Sequence, residues 1–261
     1  MFMLFGDLRM KTLAFLLSLI LIFALTGCVE QGFTLLNDLS VTVVTSADCE
    51  PYSRKGDFSS DEEEETPVNP DDAWQMALVN PWTPLPDNFT VRLANIDTRY
   101  AGYDSAQFDA RAIDQLHAMC AAAEQAGVRL VVISAYRTNA TQTKLFNNKV
   151  NRVKSANPNL SDEEAIAEAS TVVAKPSTSE HELGLAVDFN SVEDSFRDTK
   201  AYTWLQKHCN DYGFILRYAD DKQDKTGIIP EPWHYRYVGV ENAKKITASK
   251  LCLEEYLEAN Q

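Results

Sequence analysis

Apolar residues recur three or four positions apart between Asp104 and Gln125, which is the spacing of one buried helical face. The residues on this face are Phe108, Ala112, Leu116, Met119 and Ala123. Gly127 follows shortly after the last of them, as is typical of a helix end. The pattern therefore predicts an amphipathic helix over residues 104–125.

Beyond this helix, helical patterns alternate with short apolar runs. Further helices are predicted over 141–154, from the Ser161 capping box to Lys175-Pro176, over 202–212 before Gly213, and over 241–258. Short strands are predicted over 130–133, 185–189, 214–218 and 234–238. Because strands and helices are interleaved without a regular βαβ order, the pattern favours an α+β fold. We expect a single domain over residues 72–261.

The N-terminus has the pattern of a secretory signal. Arg9 and Lys11 precede an apolar run over residues 13–25, which is shorter than the roughly 20 residues that span a membrane. The run ends in Leu25-Thr26-Gly27-Cys28, which resembles the lipobox of bacterial lipoproteins. Residues 1–28 are therefore predicted to be a lipoprotein signal peptide, with Met10 as an alternative start. An ordinary signal peptide or an uncleaved anchor is the alternative interpretation.

Under either interpretation the body of the protein is expected to act outside the cytoplasm, and a lipid on Cys28 would anchor it to the cell membrane. Residues 29–71 hold eleven acidic and two basic residues, with a run of four glutamates from Glu62 and nearby prolines. Such a segment is predicted to be an extended tether, although an apolar stretch over 35–45 leaves a short strand open. The formal net charge of the chain is −14, which argues against nucleic acid as a partner.

Four further cysteines would be exposed to an oxidising environment after export, namely Cys49, Cys120, Cys209 and Cys252. They allow up to two disulfides in any of three pairings, or they remain buried thiols. None of them forms a CxxC pair, so a cysteine-ligated zinc site is not expected.

Two of the four histidines lie in short polar clusters. His181 lies in the segment Ser179–Asp188, and His234 lies in the segment Glu231–Tyr237. His117 and His208 lie in predicted helices away from such clusters, and we interpret them as structural.

A hydrolytic zinc site requires three nitrogen or carboxylate ligands, a fourth position left open for water and a nearby carboxylate base. These clusters contain side chains of the required types. His181, Asp188 and His234 are the candidate ligands of Zn²⁺, and Glu231 is the candidate base. Gly184 allows the chain to turn between the first two ligands. Glu231 precedes His234 by three residues, so it can reach the same water molecule.

The two clusters resemble the motifs of the VanY-like D-alanyl-D-alanine carboxypeptidases, zinc peptidases that share a fold with lysostaphin and the hedgehog signalling domain. The family pattern S-x-H-x-x-G-x-A-x-D is matched from Ser179 to Asp188, and E-x-W-H is matched from Glu231 to His234. The resemblance covers the domain from about Leu78 onwards. It implies a small antiparallel sheet flanked by helices in a single catalytic domain.

The resemblance also assigns roles to the segment Ser134–Thr138 and to Gln142. In the family, the arginine of this turn, here Arg137, binds the free carboxylate at the end of the substrate peptide. A guanidinium fork suits bidentate carboxylate capture, which is what an exopeptidase needs. Gln142 and Ser179 are expected to be secondary substrate contacts.

The implied activity is removal of the C-terminal D-alanine from peptidoglycan stem peptides, with Glu231 and Arg137 as the catalytic residues. An L,D-carboxypeptidase acting on tetrapeptide stems is the alternative within the family, and the Arg137 turn argues against an endopeptidase. A non-catalytic, zinc-bearing cell-wall binding module is the alternative of another class, and the presence of Glu231 argues against it.

Overall fold

A computed structural model describes residues 70–260, which contain six strands and eight α-helices. The strands are β1 (Leu93–Asn95), β2 (Gln107–Asp109), β3 (Val132–Ser134), β4 (Ala186–Phe189), β5 (Phe214–Leu216) and β6 (His234–Tyr237). The helices are α1 (Ile113–Gln125), α2 (Asn139–Ala156), α3 (Asp162–Ser170), α4 (Glu180–Leu183), α5 (Lys200–His208), α6 (Gln223–Thr226), α7 (Val240–Ser249) and α8 (Leu253–Ala259). Three 3₁₀ helices cover Pro70–Met76, Asp194–Asp198 and Cys209–Tyr212.

The strands form two antiparallel sheets. β1 pairs with β2, and the larger sheet has the order β3-β4-β6-β5. β4 and β6 are its central strands, and all four residues of each are buried. The predicted α+β fold, a small antiparallel sheet flanked by helices, is confirmed.

The hydrophobic core lies between α1 and the larger sheet. All five residues of the face predicted over 104–125 are fully buried, together with Val187 and Phe189 of β4 and Phe214 of β5. This burial holds in place the central strands β4 and β6, which carry Asp188 and His234.

Several predicted boundaries were wrong. The first helix begins at Ile113 rather than at 104, because residues 107–109 pair with β1. The closing helix over 241–258 is two helices, since Lys250 has a left-handed backbone with φ 57°. The helix opened by Ser161 ends at Ser170, well before Pro176. The predicted strand over 130–133 begins at Val132 and continues to Ser134.

The other predicted elements are found with small shifts. α2 extends the predicted 141–154 at both ends. The helix predicted over 202–212 consists of α5 and the following 3₁₀ helix, and it ends at Gly213 with φ 83°.

The predictions for the N-terminal segment fall almost wholly outside the described residues. These are the signal over 1–28, the choice between Met1 and Met10, Cys28, the strand over 35–45, Cys49 and most of the tether over 29–71. The 3₁₀ helix Pro70–Met76 crosses the predicted boundary at residue 72. Cys120, Cys209 and Cys252 are buried free thiols. No helix within residues 70–260 is long and apolar enough to span a membrane.

Candidate metal centre and active site

Strand pairing brings Asp188 and His234 together. In the register between β4 and β6, Asp188 lies directly opposite His234. Side chains at directly opposed positions lie on the same face of the sheet with Cβ atoms about 5 Å apart. Asp188 Oδ1 consequently lies 3.1 Å from His234 Nδ1.

His181 reaches the same point from the short helix α4. The Ser179 side chain caps this helix by accepting a hydrogen bond from the His181 backbone N–H. Gly184 ends it with φ 82°, and a Cβ atom there would lie 3.2 Å from Val91. Because Gly184 ends α4 after only four residues, the chain continues directly into β4 and Asp188.

One ring nitrogen of His181 is already engaged. Nδ1 lies 2.8 Å from the carbonyl oxygen of Ala135, so Nδ1 donates the hydrogen bond and Nε2 carries the lone pair. Nε2 lies 3.3 Å from Asp188 Oδ2. The backbone carbonyl therefore selects Nε2 as the nitrogen that faces the site.

The three side chains fit a zinc ion. Their ligand atoms lie within 4.8 Å of one another, and all three residues are buried. Asp188 Oδ1 accepts no hydrogen bond from the described residues, which is costly for a buried carboxylate unless a cation binds it. Two imidazoles and one carboxylate are the donor set of catalytic zinc sites that keep a fourth position open.

Electrostatics separates the two imidazoles. Burial, followed by the Arg137 charge, lowers the pKa of His181 to about 4. Burial also opposes a charge on His234, but the carboxylates of Asp188 and Glu180 outweigh it and raise its pKa to about 9. The negative field around His234 therefore favours a cation at this point.

Glu231 lies beside the candidate ligands. The His234 backbone N–H donates to the Glu231 carbonyl oxygen, which closes a tight turn through Pro232. This turn brings Glu231 Oε2 within 3.5 Å of His234 Nδ1. Burial raises the pKa of Glu231 to about 8, which is the direction expected of a carboxylate that accepts and returns a proton near neutral pH.

Arg137 is held by several partners at the edge of the site. Its Nε and Nη2 donate to Ser134 Oγ, and its Nη1 donates to Gln142 Oε1 at 3.2 Å. Nη2 also lies 3.1 Å from Asp188 Oδ2. One N–H of Nη1 remains for a ligand. Bidentate binding of a carboxylate by both Nη1 and Nη2 would therefore require Arg137 to give up one of its present hydrogen bonds.

Gln142 and Ser179 differ in their access to the site. Gln142 is fully buried, and its amide nitrogen donates to the Ala174 carbonyl oxygen. Its contact with the candidate site is therefore the hydrogen bond that its amide oxygen accepts from Arg137. Ser179 lines the cleft beside the candidate ligands, where a substrate can contact it.

The candidate ligands lie in a cleft of about 860 Å³. Its lining also includes residues of α2, the segment Val172–Ala174, the segment Val192–Asp194 and the segment Ile228–Glu231. His117 and His208 lie elsewhere, as interpreted: His117 Nε2 accepts from the Asp97 backbone N–H, and His208 packs on Trp204.

Sequence reasoning missed the carboxylate behind His234. Glu180 is completely buried, with Oε2 lying 3.5 Å from His234 Nε2, and it contacts Arg217 and Arg236. The available signal was the presence of charged residues inside short segments predicted to be buried, because such charges are rarely buried without partners.

An α+β fold with this donor set, a carboxylate beside it and an open cleft defines a zinc-dependent peptidase. The chain belongs to the VanY family of D-alanyl-D-alanine carboxypeptidases, whose model matches residues 105–240. The predicted resemblance is confirmed.

Individual relatives agree with this family. A D-alanyl-D-alanine carboxypeptidase of Enterococcus faecalis strain V583 is 40% identical over 188 residues, covering 72% of this chain and 67% of the relative. A Zn(II) complex of a glutamate-to-alanine mutant of the vancomycin-resistance D,D-pentapeptidase VanY, from a VanB-type cassette, is 41% identical with a TM-score of 0.62, covering 70% of this chain and 99% of that one. The LD-carboxypeptidase LdcB is 33% identical with a TM-score of 0.62, covering 70% of this chain and 86% of that one.

Proposed function

We propose that this protein is a zinc-dependent D-alanyl-D-alanine carboxypeptidase that removes the C-terminal D-alanine from peptidoglycan stem peptides. The observation that carries the proposal is the convergence of His181, Asp188 and His234 with Glu231 in one open cleft. Family membership supplies the substrate class, because the relatives are named for cleavage of this bond.

His181 Nε2, Asp188 and His234 Nδ1 would hold the metal. When bound, zinc supplies Lewis-acid activation of the attacking water and the scissile carbonyl. Glu231 takes the proton from the attacking water and delivers it to the amine of the departing D-alanine. Its buried position keeps bulk water from competing for that proton.

Arg137 binds the terminal carboxylate of the substrate through its free Nη1 hydrogen. Ser134 and Gln142 fix the guanidinium plane, so the charge is already oriented when substrate arrives. Ser179 contacts the peptide along the wall of the cleft. A peptide without a free C-terminal carboxylate lacks the group that Arg137 recognises.

We further propose that the protein acts outside the cytoplasm, attached to the membrane through a lipid on Cys28. The N-terminal pattern supports this proposal, and an acidic tether over residues 29–71 would let a catalytic domain over 72–261 reach the cell wall. Mass spectrometry of protein isolated from membranes tests it, since a lipidated N-terminus at Cys28 is the expected result.

The activity is tested by incubating purified protein with pentapeptide and tetrapeptide stems, with and without a chelator. Loss of one D-alanine from the pentapeptide, abolished by the chelator, is the expected result. A C-terminally amidated pentapeptide is the matched control and should stay intact. Cleavage of the tetrapeptide alone would instead establish the L,D-activity that the likeness to LdcB favours. No cleavage of either peptide by zinc-loaded protein would refute the proposal.

A further inference from the structure

Two buried polar atoms without hydrogen bonds in the described residues face each other behind the candidate metal centre. They are Glu180 Oε2 and His234 Nε2, which lie 3.5 Å apart. A buried acceptor and a buried ring nitrogen are each costly when unpaired. The arrangement becomes favourable when Nε2 carries a hydrogen and donates a hydrogen bond to the carboxylate.

The other oxygen of Glu180 is firmly held. Oε1 accepts from Arg217 Nε at 2.8 Å and from Arg236 Nη1 at 2.7 Å. Glu180 therefore cannot rotate away from His234 without breaking two charged hydrogen bonds.

Both arginines are anchored in turn by distant parts of the chain. Arg217 donates to both oxygens of Glu254 in α8, and Arg236 donates to the carbonyl oxygens of Gln75 and Ala77. The two glutamates and two arginines balance in charge. Since apolar residues of similar volume often replace such buried pairs without loss of stability, a positional role is the better explanation for this network.

We propose that Glu180 is a positioning residue for the metal centre, which accepts the Nε2 hydrogen of His234 and thereby leaves Nδ1 for zinc. The inference rests on the proposed zinc site. Carboxylates that orient a metal-binding histidine in this way typically contribute 10- to 100-fold to metal affinity.

Glu180→Gln tests the proposal. The two arginines require an oxygen from residue 180, so the glutamine would present its NH₂ group to His234 and favour the wrong tautomer. Chelator competition on the purified protein should show zinc dissociation constants about 10- to 100-fold higher than in the wild type. Glu182→Gln is the matched control, because Glu182 lies on the same helix but bonds Asn139 and Ser177, and its zinc affinity should be unchanged.

A second measurement needs no substitution and so does not depend on the variant folding. Nitrogen-15 NMR of histidine-labelled, zinc-loaded wild-type protein should show His234 with a slowly exchanging Nε2 proton and a metal-bound Nδ1. Zinc on Nε2, or an unchanged zinc affinity in a folded Glu180→Gln variant, would overturn the role of Glu180 alone. A wild-type protein that binds no zinc would overturn the metal site with it.

A second, independent observation concerns the wall of the cleft formed by α2. Lys149 and Arg152 line it three residues apart, so they are neighbours on one helix face. Neither forms an ion pair with a described residue, whereas Arg197 on the cleft lining is paired with Asp220. Two unpaired like charges at this spacing repel each other, and an anion between them would remove that cost.

The length of this wall suits a peptide that continues beyond the scissile bond. The α2 residues in the lining run from Leu145 to Arg152, which is about 10 Å along the helix axis. That length matches about three residues of extended peptide. We infer that Lys149 and Arg152 bind a carboxylate carried by a stem residue upstream of the cleaved bond, an inference that rests on the proposed function.

The probes are two pentapeptides ending in D-Ala-D-Ala that differ only at the second residue, which carries either a free carboxylate or a carboxamide. The wild type should show a KM about fivefold lower for the carboxylate peptide, with similar kcat. The double variant Lys149→Gln/Arg152→Gln should lose this difference, because the KM for the carboxylate peptide rises to that for the carboxamide peptide. Lys144→Gln, on the same helix but outside the cleft lining, should keep it.

Equal KM values for the two peptides in the wild type would overturn this inference and leave the proposed activity standing. A preference that survives in the double variant would also overturn it. Cleavage of neither peptide would overturn the proposed function, and the subsite with it.

Discussion

At the scale of single residues, Glu231 shows how burial prepares a base. Its side chain is enclosed beside His234, and the loss of solvent raises its pKa to about 8. A carboxylate in water would be a much weaker proton acceptor. The burial of Glu231 beside His234 is therefore what makes it a stronger base.

We expect Glu231→Gln to reduce kcat by about 10² to 10⁴, the usual contribution of a general base. The amide keeps the size of the side chain but cannot take a proton, so zinc content should stay near that of the wild type. Steady-state kinetics and metal analysis measure the two effects separately. Glu193→Gln, a carboxylate elsewhere on the cleft lining, is the control and should retain activity. A zinc-loaded Glu231→Gln variant with normal kcat would falsify the role.

At the scale of elements, helix termini show which local signals the chain obeys. Ser161 accepts a hydrogen bond from the Glu164 backbone N–H, and the Glu164 carboxylate accepts one from the Ser161 backbone N–H, so the predicted capping box is present at the start of α3. A similar cap begins α8 after the break that follows α7, because the Glu255 carboxylate accepts a hydrogen bond from the Cys252 backbone N–H.

Removing the first cap tests its contribution. Ser161→Ala should lower the free energy of unfolding by about 1 kcal/mol, because α3 loses an acceptor for an otherwise unpaired backbone N–H. Urea denaturation followed by circular dichroism measures the change. Ser155→Ala, which removes a hydroxyl from the exposed face of α2, should shift stability by less than about 0.5 kcal/mol.

The second cap should respond to pH. A hydrogen bond from Lys222 and another from the Cys252 backbone N–H lower the pKa of Glu255 to about 2. A lowered folded-state pKa stabilises the protein above the unfolded value near 4.5, and this contribution is lost as pH falls towards 2.

Wild type and Glu255→Gln should therefore differ in unfolding free energy at about pH 6 and converge as the pH approaches about 2. Denaturation curves across that range measure the difference. A gap that stays constant with pH would show that ionisation of Glu255 is not what stabilises α8.

At the scale of the whole molecule, the candidate metal centre joins elements from distant parts of the chain. α4, β4 and β6 provide the ligands, and Arg217 and Arg236 connect them to α8 and to residues 75–77. Binding of an ion at this point therefore restrains several elements together.

Zinc should consequently stabilise the native protein. A ligand that binds only the folded state adds about 2.7 kcal/mol at a concentration about one hundred times its Kd. Thermal unfolding with zinc and with excess chelator should differ by several degrees. Asp188→Asn removes a charged candidate ligand and should abolish the difference, and a difference that persists would place the zinc elsewhere.

The local sequence determined the helical face buried in the core, the capping box at Ser161 and the short spacings from His181 to Asp188 and from Glu231 to His234. These features depend on residues a few positions apart, whose periodicity and backbone preferences act within one element. The first helix was placed too early because Phe108, at the centre of β2, satisfied the same apolar spacing. The pairing of β2 with β1 is a contact between distant residues, and it outweighed the local preference.

Only the tertiary structure decided the rest of the site. The register of β4 against β6 places Asp188 opposite His234, and the Ala135 carbonyl selects the nitrogen of His181. The same long-range packing buries Glu180 behind His234 and buries Gln142 against Arg137. Strand register, tautomer choice and burial of charge are set by groups far apart in the chain, so no local pattern contains them.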